Sequence, residues 1–486
     1  MGAASVAAGA MAGKAVGVFV QIALGWLLVP EDFAIYASAL GLNLVTASLI
    51  DGGTGRFLLR SGEDYLRLVR PARKLAAMAN GLSGVIVLGL STWSWWYWGD
   101  GRLAAVLAVM ACQTILTTPI SMARIRLQHA MRFEAVARVE VTSIVLRGLM
   151  SVGLAALGFG PMAFVLPLPI NLPIEWLLLS RAAGGALPDL PAAGESVRGV
   201  LRSTRWIIAS NTAQTLAGRG DYLALTLAAP SILASYFFGF QLAAASVQLF
   251  MSSFRLVLLP GLSWVGDDLA RLRTVARRAV GVANLVFPFA CGGLLLLSPT
   301  VVDAVWAGRW NDSIVVIQAV ALSTAMRAGT PVAFALMEAR SKWIQVAVIN
   351  AANGVSLIAV VLLTVAWFGS NLTAVVVAVA LQRVMMGLVV QGVALRMIGV
   401  GGFSILRWIG SGPLAMASGL AMVLLVVDLP DAERTGGADG LVALALFLVG
   451  WSAFVLVFER RHLADVSTLL RRRRADPAVR SDVDGG

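Results

Sequence analysis

Fourteen apolar runs, most of them about twenty residues or longer, constrain what this 486-residue chain can fold into. A run of that length spans the hydrocarbon core of a bilayer as an α-helix. The runs cover residues 3–29, 33–58, 77–98, 103–123, 141–159, 161–180, 205–228, 232–259, 279–298, 313–337, 343–368, 372–395, 404–427 and 440–458. Because backbone polar groups in hydrocarbon need partners within the chain, the sequence predicts an all-α polytopic membrane protein with 14 transmembrane helices.

The composition agrees with this prediction and excludes several kinds of chemistry. Hydrophobic residues make up 58% of the chain and charged residues 13%, whereas soluble domains carry about 25% charged residues. Cys112 and Cys291 lie in apolar runs, and His129 and His462 lie in basic stretches away from any group of carboxylates. We therefore expect no catalytic residues, no metal site and no cofactor.

The distribution of positive charge tests the number of spans, because Lys and Arg accumulate on cytoplasmic loops. With the N-terminus in the cytoplasm, alternate loops and the C-terminal tail collect most of the 38 basic residues. The outer loops hold only Arg102, Arg309 and Arg434 and are otherwise acidic. This alternation predicts that both termini are cytoplasmic and that the basic loops face anionic membrane lipids. Since no loop is long enough to form a basic domain, nucleic acid is not an expected partner.

An internal repeat predicts how the helices are grouped. The stretches VPEDFAIYASALGL (29–42) and APSILASYFFGFQL (229–242) share Pro, Ala, Tyr and Leu at a constant offset of 200 residues. Six spans separate the copies, which predicts two pseudo-symmetric six-helix lobes, a transporter architecture. The predicted parts are an N-lobe (1–180), a cytoplasmic linker (181–204), a C-lobe (205–398), helices 13 and 14 (399–458) and a basic cytoplasmic tail (459–486).

Charged residues near the middle of predicted spans are the candidate functional groups. A charge at that depth costs several kcal/mol unless it is paired or faces water. Basic residues exceed acidic ones here, so a cavity enclosed by the two lobes is expected to be cationic. Guanidinium groups match phosphate oxygens, which favours an anionic or phosphorylated substrate. The predicted substrate-binding residues are Lys14, Arg219, Arg327 and Arg383.

The sequence Arg219-Gly220-Asp221 places two opposite charges two residues apart on one predicted helix. Such residues point about 200° apart, so they do not pair directly. We expect one to face the cavity and the other a neighbouring helix. Asp221 is predicted to pair with an arginine or to couple transport to a proton or a sodium ion, with Gln21 and Asp51 as further candidates for that role.

Five stretches resemble a known family. They are LVPEDFAIYASA (28–39), DGGTGRFLLR (51–60), GDYLAL (220–225), APSILASYFFG (229–239) and VVDAVWAGRWNDS (301–313). The chain is thus similar to the polysaccharide transporter (O-antigen flippase) family of the multidrug/oligosaccharidyl-lipid/polysaccharide exporter superfamily. The resemblance puts Asp221 on the family's helix-7 acid and, more loosely, Lys14 on a basic position of helix 1, whereas Arg219 departs from the family pattern.

The resemblance implies a flippase of the bacterial inner membrane. Such a protein moves a polyprenyl-pyrophosphate-linked oligosaccharide across the membrane by alternating access, for lipopolysaccharide or exopolysaccharide biosynthesis, beside other polysaccharide-assembly proteins. The alternative is a cation-coupled drug or small-metabolite antiporter of the same superfamily, which excess embedded acids would have favoured. A glycan polymerase or ligase comes last, because such an enzyme needs a large outer loop with catalytic side chains.

Overall fold

The structure is a computed structural model that describes residues 2–47, 49–184, 196–247, 269–340, 342–426 and 437–458. Within these ranges every regular element is helical and no residue is in a β-strand. The α-helices are α1 (Gly2–Leu27), α2 (Pro30–Ala47), α3 (Thr54–Arg60), α4 (Tyr65–Trp98), α5 (Gly101–Leu116), α6 (Thr118–His129), α7 (Phe133–Ala156), α8 (Met162–Val165), α9 (Pro167–Ala182), α10 (Val197–Ala228), α11 (Pro230–Val247), α12 (Leu269–Trp306), α13 (Asp312–Met326), α14 (Thr330–Ala339), α15 (Trp343–Phe368), α16 (Leu372–Met397), α17 (Gly402–Val426) and α18 (Gly437–Phe458).

The prediction of an all-α membrane protein is confirmed. Among the described residues, eight helices are long and apolar enough to cross a bilayer, or up to ten if the bent pairs α5–α6 and α13–α14 are single spans. Each predicted span coincides with a helix or a broken helix, except that 232–259 runs beyond the described residues after 247. The number fourteen stays a prediction, partly because the charged residues of α2 and α10 lower their apolarity.

Several helices are longer than the bilayer is thick. Helix α12 has 38 residues, which corresponds to about 57 Å at 1.5 Å per residue, against about 30 Å of hydrocarbon. Its first turns carry Arg271, Arg273, Arg277 and Arg278. Basic stretches that the sequence analysis treated as loops are therefore, in part, helical extensions of the spans.

Contacts group the chain into two compact units. Unit 1 comprises Met1–Leu249 and Ile344–Gln382, and unit 2 comprises Phe250–Trp343 and Arg383–Gly486. The predicted lobes divide the chain at other residues and stay a prediction. Residues 185–195 of the predicted linker and the basic tail (459–486) lie outside the described residues.

In unit 1, the two copies of the repeated stretch pack against each other. The ring of Phe33 in α2 lies 5.5 Å from that of Phe238 and 6.5 Å from that of Phe237 in α11. Five residues after the repeat's tyrosine, Gly41 lies so close to α10 that an added Cβ would be 2.8 Å from the carbonyl oxygen of Tyr222. A glycine at this position therefore lets α2 and α10 approach at backbone distance.

In unit 2, α12, α17 and α18 pack around one aromatic side chain. Phe447 of α18 is fully buried. Its ring occupies the space that a Cβ on Gly292 or Gly419 would need, since the nearest ring atoms would lie only 2.0 and 2.5 Å away. The side-chain amide of Asn284 in α12 donates to the carbonyl oxygen of Trp408 in α17 at 2.6 Å. This packing forms the frame next to which the arginines of unit 2 lie.

Candidate functional site

Arg219 lines a cavity of about 290 Å³ inside unit 1. The walls come from α2 and α10 and consist of Leu40, Asn43, Leu44, Gln214, Thr215, Gly218 and Arg219. Arg219 is exposed, and within the described part of the chain it forms no ion pair with a carboxylate. Its guanidinium group is therefore free to bind a ligand in the cavity.

Asp221 lies in different surroundings. Its side chain is fully buried, and its carboxylate accepts hydrogen bonds from the hydroxyl of Tyr236 at 2.6 Å and from the backbone N–H of Tyr222 at 3.1 Å. Between the two charges, Gly220 packs on α15, where an added Cβ would lie 3.0 Å from Cγ1 of Ile358. Arg219 and Asp221 thus point apart, with the arginine on the cavity within unit 1 and the acid inside the helix packing. A place for Arg219 in a cavity enclosed by the two lobes stays a prediction.

The two tyrosines of the internal repeat lie in different surroundings. Tyr36 of α2 is close enough to Arg219 for the guanidinium charge to act on its hydroxyl, and its ring stacks on Phe164 at 4.3 Å. Its counterpart in the second copy, Tyr236, donates to Asp221. Of the two repeat tyrosines, Tyr236 therefore donates a hydrogen bond to a buried charge of α10, whereas Tyr36 packs on an aromatic ring.

The structure brings Arg327 and Arg383 together in unit 2. Arg327 lies at the break between α13 and α14, where the chain bends by 49°. An added Cβ on Gly387, one turn after Arg383 in α16, would lie 2.6 Å from Cβ and 3.2 Å from Cδ of Arg327. The charge of Arg383 acts on Arg327 as well.

Arg327 carries an unsatisfied buried group. Its Nε is buried without a hydrogen-bond partner, and in the ranges that the structure covers it forms no ion pair with a carboxylate. The positive charges of Arg327 and Arg383 therefore act on each other in a bilayer-spanning region, where an uncompensated charge costs several kcal/mol. Their role in substrate binding stays a prediction. An anion that binds both groups would offset their repulsion.

Two polar neighbours of this pair, Gln391 and Thr330, are not among the residues predicted from the sequence. Gln391 is buried, and its amide nitrogen lies 3.2 Å from the carbonyl oxygen of Gly387 and 3.5 Å from the hydroxyl of Thr330. Together with Arg383 and Gly387, it forms a row on α16 at intervals of four residues. That spacing was available in the sequence and is the signal that could have found it.

Asp51 lies in the break between α2 and α3, and its hydrogen bonds stabilise that break. Asp51, Gly52 and Gly53 all have positive φ angles, of 58°, 55° and 70°. The backbone N–H of Asp51 donates to the side-chain oxygen of the fully buried Asn80 at 2.7 Å, and its carboxylate accepts from the amide of Asn80 at 3.1 Å and the hydroxyl of Ser121 at 2.9 Å. These bonds tie the break to α4 and α6, and a coupling role for Asp51 stays a prediction.

Lys14 and Gln21 lie on α1, which packs against α7. An added Cβ on Gly13 would lie 3.0 Å from Cδ1 of Ile144, whereas one on Gly17 would meet no atom within 4 Å. Lys14 is partly buried, and the side-chain nitrogen of Gln21 is buried without a hydrogen bond to any described residue. Their roles in substrate binding and coupling stay predictions.

Comparisons with known proteins agree with this architecture. A family model described as "Polysaccharide biosynthesis protein" matches residues 23–315. No curated protein sequence matches the chain. Similar solved structures include the lipid II flippase MurJ in an inward closed conformation, with 11% identity and a TM-score of 0.71 over 94% of this chain and 99% of that one.

Other similar structures are transporters of the MOP superfamily. One, from Pyrococcus furiosus, is 13% identical, with a TM-score of 0.54 over 82% of this chain and 95% of that chain. A multidrug resistance MATE family transporter in an outward-facing conformation is 14% identical, with a TM-score of 0.53 over 84% and 96% of the two chains. At these identities the likeness establishes the fold, which is that of membrane transporters.

Proposed function

The chain belongs to the polysaccharide biosynthesis protein family and has the fold of MOP superfamily transporters, and from this premise we propose that it is a flippase. Its substrate is a polyprenyl-pyrophosphate-linked oligosaccharide, moved across the bacterial inner membrane by alternating access for surface polysaccharide biosynthesis. Both termini are cytoplasmic in this proposal. Anionic lipids bind the basic cytoplasmic helix ends, and other polysaccharide-assembly proteins act before and after transport.

The observation that carries the proposal is the pair formed by Arg327 and Arg383. A diphosphate spreads negative charge over several oxygens, and a guanidinium group binds two of them with parallel N–H donors. The pair lies at the bent α13–α14 connection and on α16, both within apolar helices. Charge in such surroundings is stabilised by a bound counter-ion more than it would be in water, so the pair favours a phosphorylated ligand.

The remaining predicted residues receive roles that follow from their positions. Lys14 of α1 and Arg219 of α10 add positive charge on unit 1 for the anionic substrate. Asp221, Gln21 and Asp51 are the candidates for coupling to a proton or a sodium ion. Asp221 is favoured among them, because its carboxylate is fully buried and held by a phenol that protonation of the acid would disturb.

The proposal is tested with the purified full-length protein in liposomes that contain a polyprenyl diphosphate oligosaccharide with a fluorescent label on the sugar. A membrane-impermeant quencher then reports the fraction of label in the outer leaflet. Wild-type protein is expected to make nearly all of the label accessible, and the double variant Arg327→Gln/Arg383→Gln to slow this at least tenfold. Arg396→Gln, which removes an exposed charge from the last turn of α16, is the matched control.

Two results would contradict the proposal: no acceleration by the wild-type protein, or equal rates for the double variant and the control. A drug or small-metabolite antiporter is the second candidate function, and its support is the likeness to the MATE transporter structures. Uptake of a labelled organic cation driven by a proton or sodium gradient, with no effect on the lipid-linked glycan, would decide for the antiporter.

A further inference from the structure

The cavity between α2 and α10 in unit 1 has several hydrogen-bonding groups that no described residue uses. Within the described residues, the side chains of Arg219 and Gln214 form no hydrogen bond. Asn43 uses its side-chain oxygen to accept from Thr46, which leaves its amide N–H groups available. A guanidinium and two carboxamides therefore offer donors and acceptors to one ligand.

The walls of this cavity combine those polar groups with two apolar side chains. Leu40 and Leu44 lie on the α2 side, while the hydroxyl of Thr215 donates to the carbonyl oxygen of Asn211 and keeps its lone pairs for a ligand. Sugar rings present hydroxyl groups at their edge and C–H groups on their faces. The mixture of carboxamides, a hydroxyl and leucines matches that pattern better than it matches a drug-like apolar molecule.

The number of positive charges distinguishes this cavity from the arginine pair of unit 2. Arg219 is the one charged residue among the seven that line the cavity, whereas Arg327 and Arg383 form a pair. A diphosphate carries at least two negative charges and suits the pair. One guanidinium surrounded by neutral amides suits a ligand with a single negative charge, and a carboxylate binds the guanidinium in a bidentate fashion.

Gly218 leaves the space in which such a ring would sit. It is exposed toward the cavity, and a Cβ added to it would meet no atom within 4 Å. The cavity volume of about 290 Å³ is at the lower end of the range for small-molecule sites, roughly 300–1,000 Å³. A larger side chain at position 218 would therefore fill the cavity without displacing the protein.

We propose that the cavity between α2 and α10 binds one sugar ring of the transported glycan, and that Arg219 selects a sugar that carries a carboxylate. This inference rests on the proposed flippase function and specifies its substrate class. Gln214 and Asn43 bind the ring hydroxyls, and the leucines contact a ring face. The site determines which glycan is recognised, separately from the diphosphate that every such substrate shares.

The test measures binding of three probes to the full-length protein in nanodiscs: polyprenyl diphosphate, polyprenyl diphosphate glucose and polyprenyl diphosphate glucuronate. Wild-type protein is expected to bind the glucuronate probe about tenfold more tightly than the glucose probe, which is about 1.4 kcal/mol. Arg219→Gln is expected to abolish that difference. Gly218→Leu is expected to reduce the affinity for both sugar probes to that for bare polyprenyl diphosphate, whose binding stays unchanged.

The matched control is Gly153→Leu in α7, because that glycine is also exposed and an added Cβ there also meets no atom within 4 Å. It is expected to bind all three probes like the wild type. Equal wild-type affinity for the two sugar probes would overturn the inference, as would a glucuronate preference that survives Arg219→Gln. Weaker binding of the bare probe to Gly218→Leu would overturn it too, since the cavity would then hold the diphosphate. If wild-type protein binds none of the probes, the flippase proposal fails as well.

Discussion

Two arginine sites, one in each unit, look alike in the sequence and differ in the structure. Arg219 is a single cation in an open cavity among carboxamides and leucines. Arg327 and Arg383 form a pair in which the stem of one arginine packs on a glycine of α16. In the proposed function both sites bind an anion, and the neighbours of each arginine determine which anion it binds.

The largest effect is expected from Gly387→Val. The added Cβ would overlap Cβ of Arg327, 2.6 Å away, and would separate the two guanidinium groups. We expect about a 100-fold loss of flipping, close to 2.7 kcal/mol, measured with the labelled lipid-linked oligosaccharide. Gly392→Val on the same helix, where an added Cβ meets no atom within 4 Å, is the control and should retain wild-type rates. Equal flipping rates for the two variants would show that transport does not require the close packing of Arg327 on Gly387.

A second prediction contrasts the two charges of α10. Tyr236→Phe leaves the buried carboxylate of Asp221 without the 2.6 Å hydrogen bond of the phenol, which costs about 2 kcal/mol of stability. Thermal unfolding in detergent should therefore occur several degrees lower. Arg219→Gln should unfold like the wild type, since its side chain is exposed. A lower unfolding temperature for Arg219→Gln would contradict the conclusion that the guanidinium group of Arg219 forms no stabilising contact within the protein.

Lysine substitutions test whether each site needs the planar guanidinium group of arginine or only its positive charge. Lysine keeps the charge of arginine and loses its planar pair of donors. For bare polyprenyl diphosphate we expect Arg383→Lys to weaken binding about tenfold and Arg219→Lys to leave it within twofold, because the paired site binds the diphosphate. A larger loss in Arg219→Lys would reverse the assignment of the two sites.

The smallest effect expected is that of salt. Exposed charges are screened at high ionic strength, and buried ones much less. Raising NaCl from about 0.1 to 1 M shortens the Debye length from roughly 10 to 3 Å, so the preference for the glucuronate probe should fall about threefold. Binding of bare polyprenyl diphosphate should change less, because Arg327 and Arg383 are half-buried and the Nε atom of each is buried. Equal salt sensitivity for both probes would contradict the difference in burial.

Sequence reasoning reached the helical fold and the embedded charges because both follow from local rules. Apolar runs predict spans, and the 100° step of a helix predicts that Arg219 and Asp221 diverge, as the structure shows. Neither rule involves contacts between distant residues. The elements that such rules place best are the long apolar helices, such as α15 and α16.

What the sequence did not reveal depends on contacts between distant residues. Gly387 is one of 49 glycines, and its closeness to Arg327, sixty positions earlier, follows from how α16 packs on the α13–α14 bend. The assignment of Asp51 to a helix break depends on Asn80 and Ser121. Burial in a bilayer makes such polar contacts necessary. The spacing of residues in the sequence does not predict which residues form them.

The hydrogen bonds of Asp51 have a consequence for the order in which the protein is built. As the chain enters the membrane from its N-terminus, the break after α2 arrives before its partners, since Asn80 follows 29 residues later and Ser121 follows 70 residues later. Unsatisfied polar groups in hydrocarbon cost several kcal/mol each. The break between α2 and α3 therefore acquires its final shape only after α6 has been synthesised.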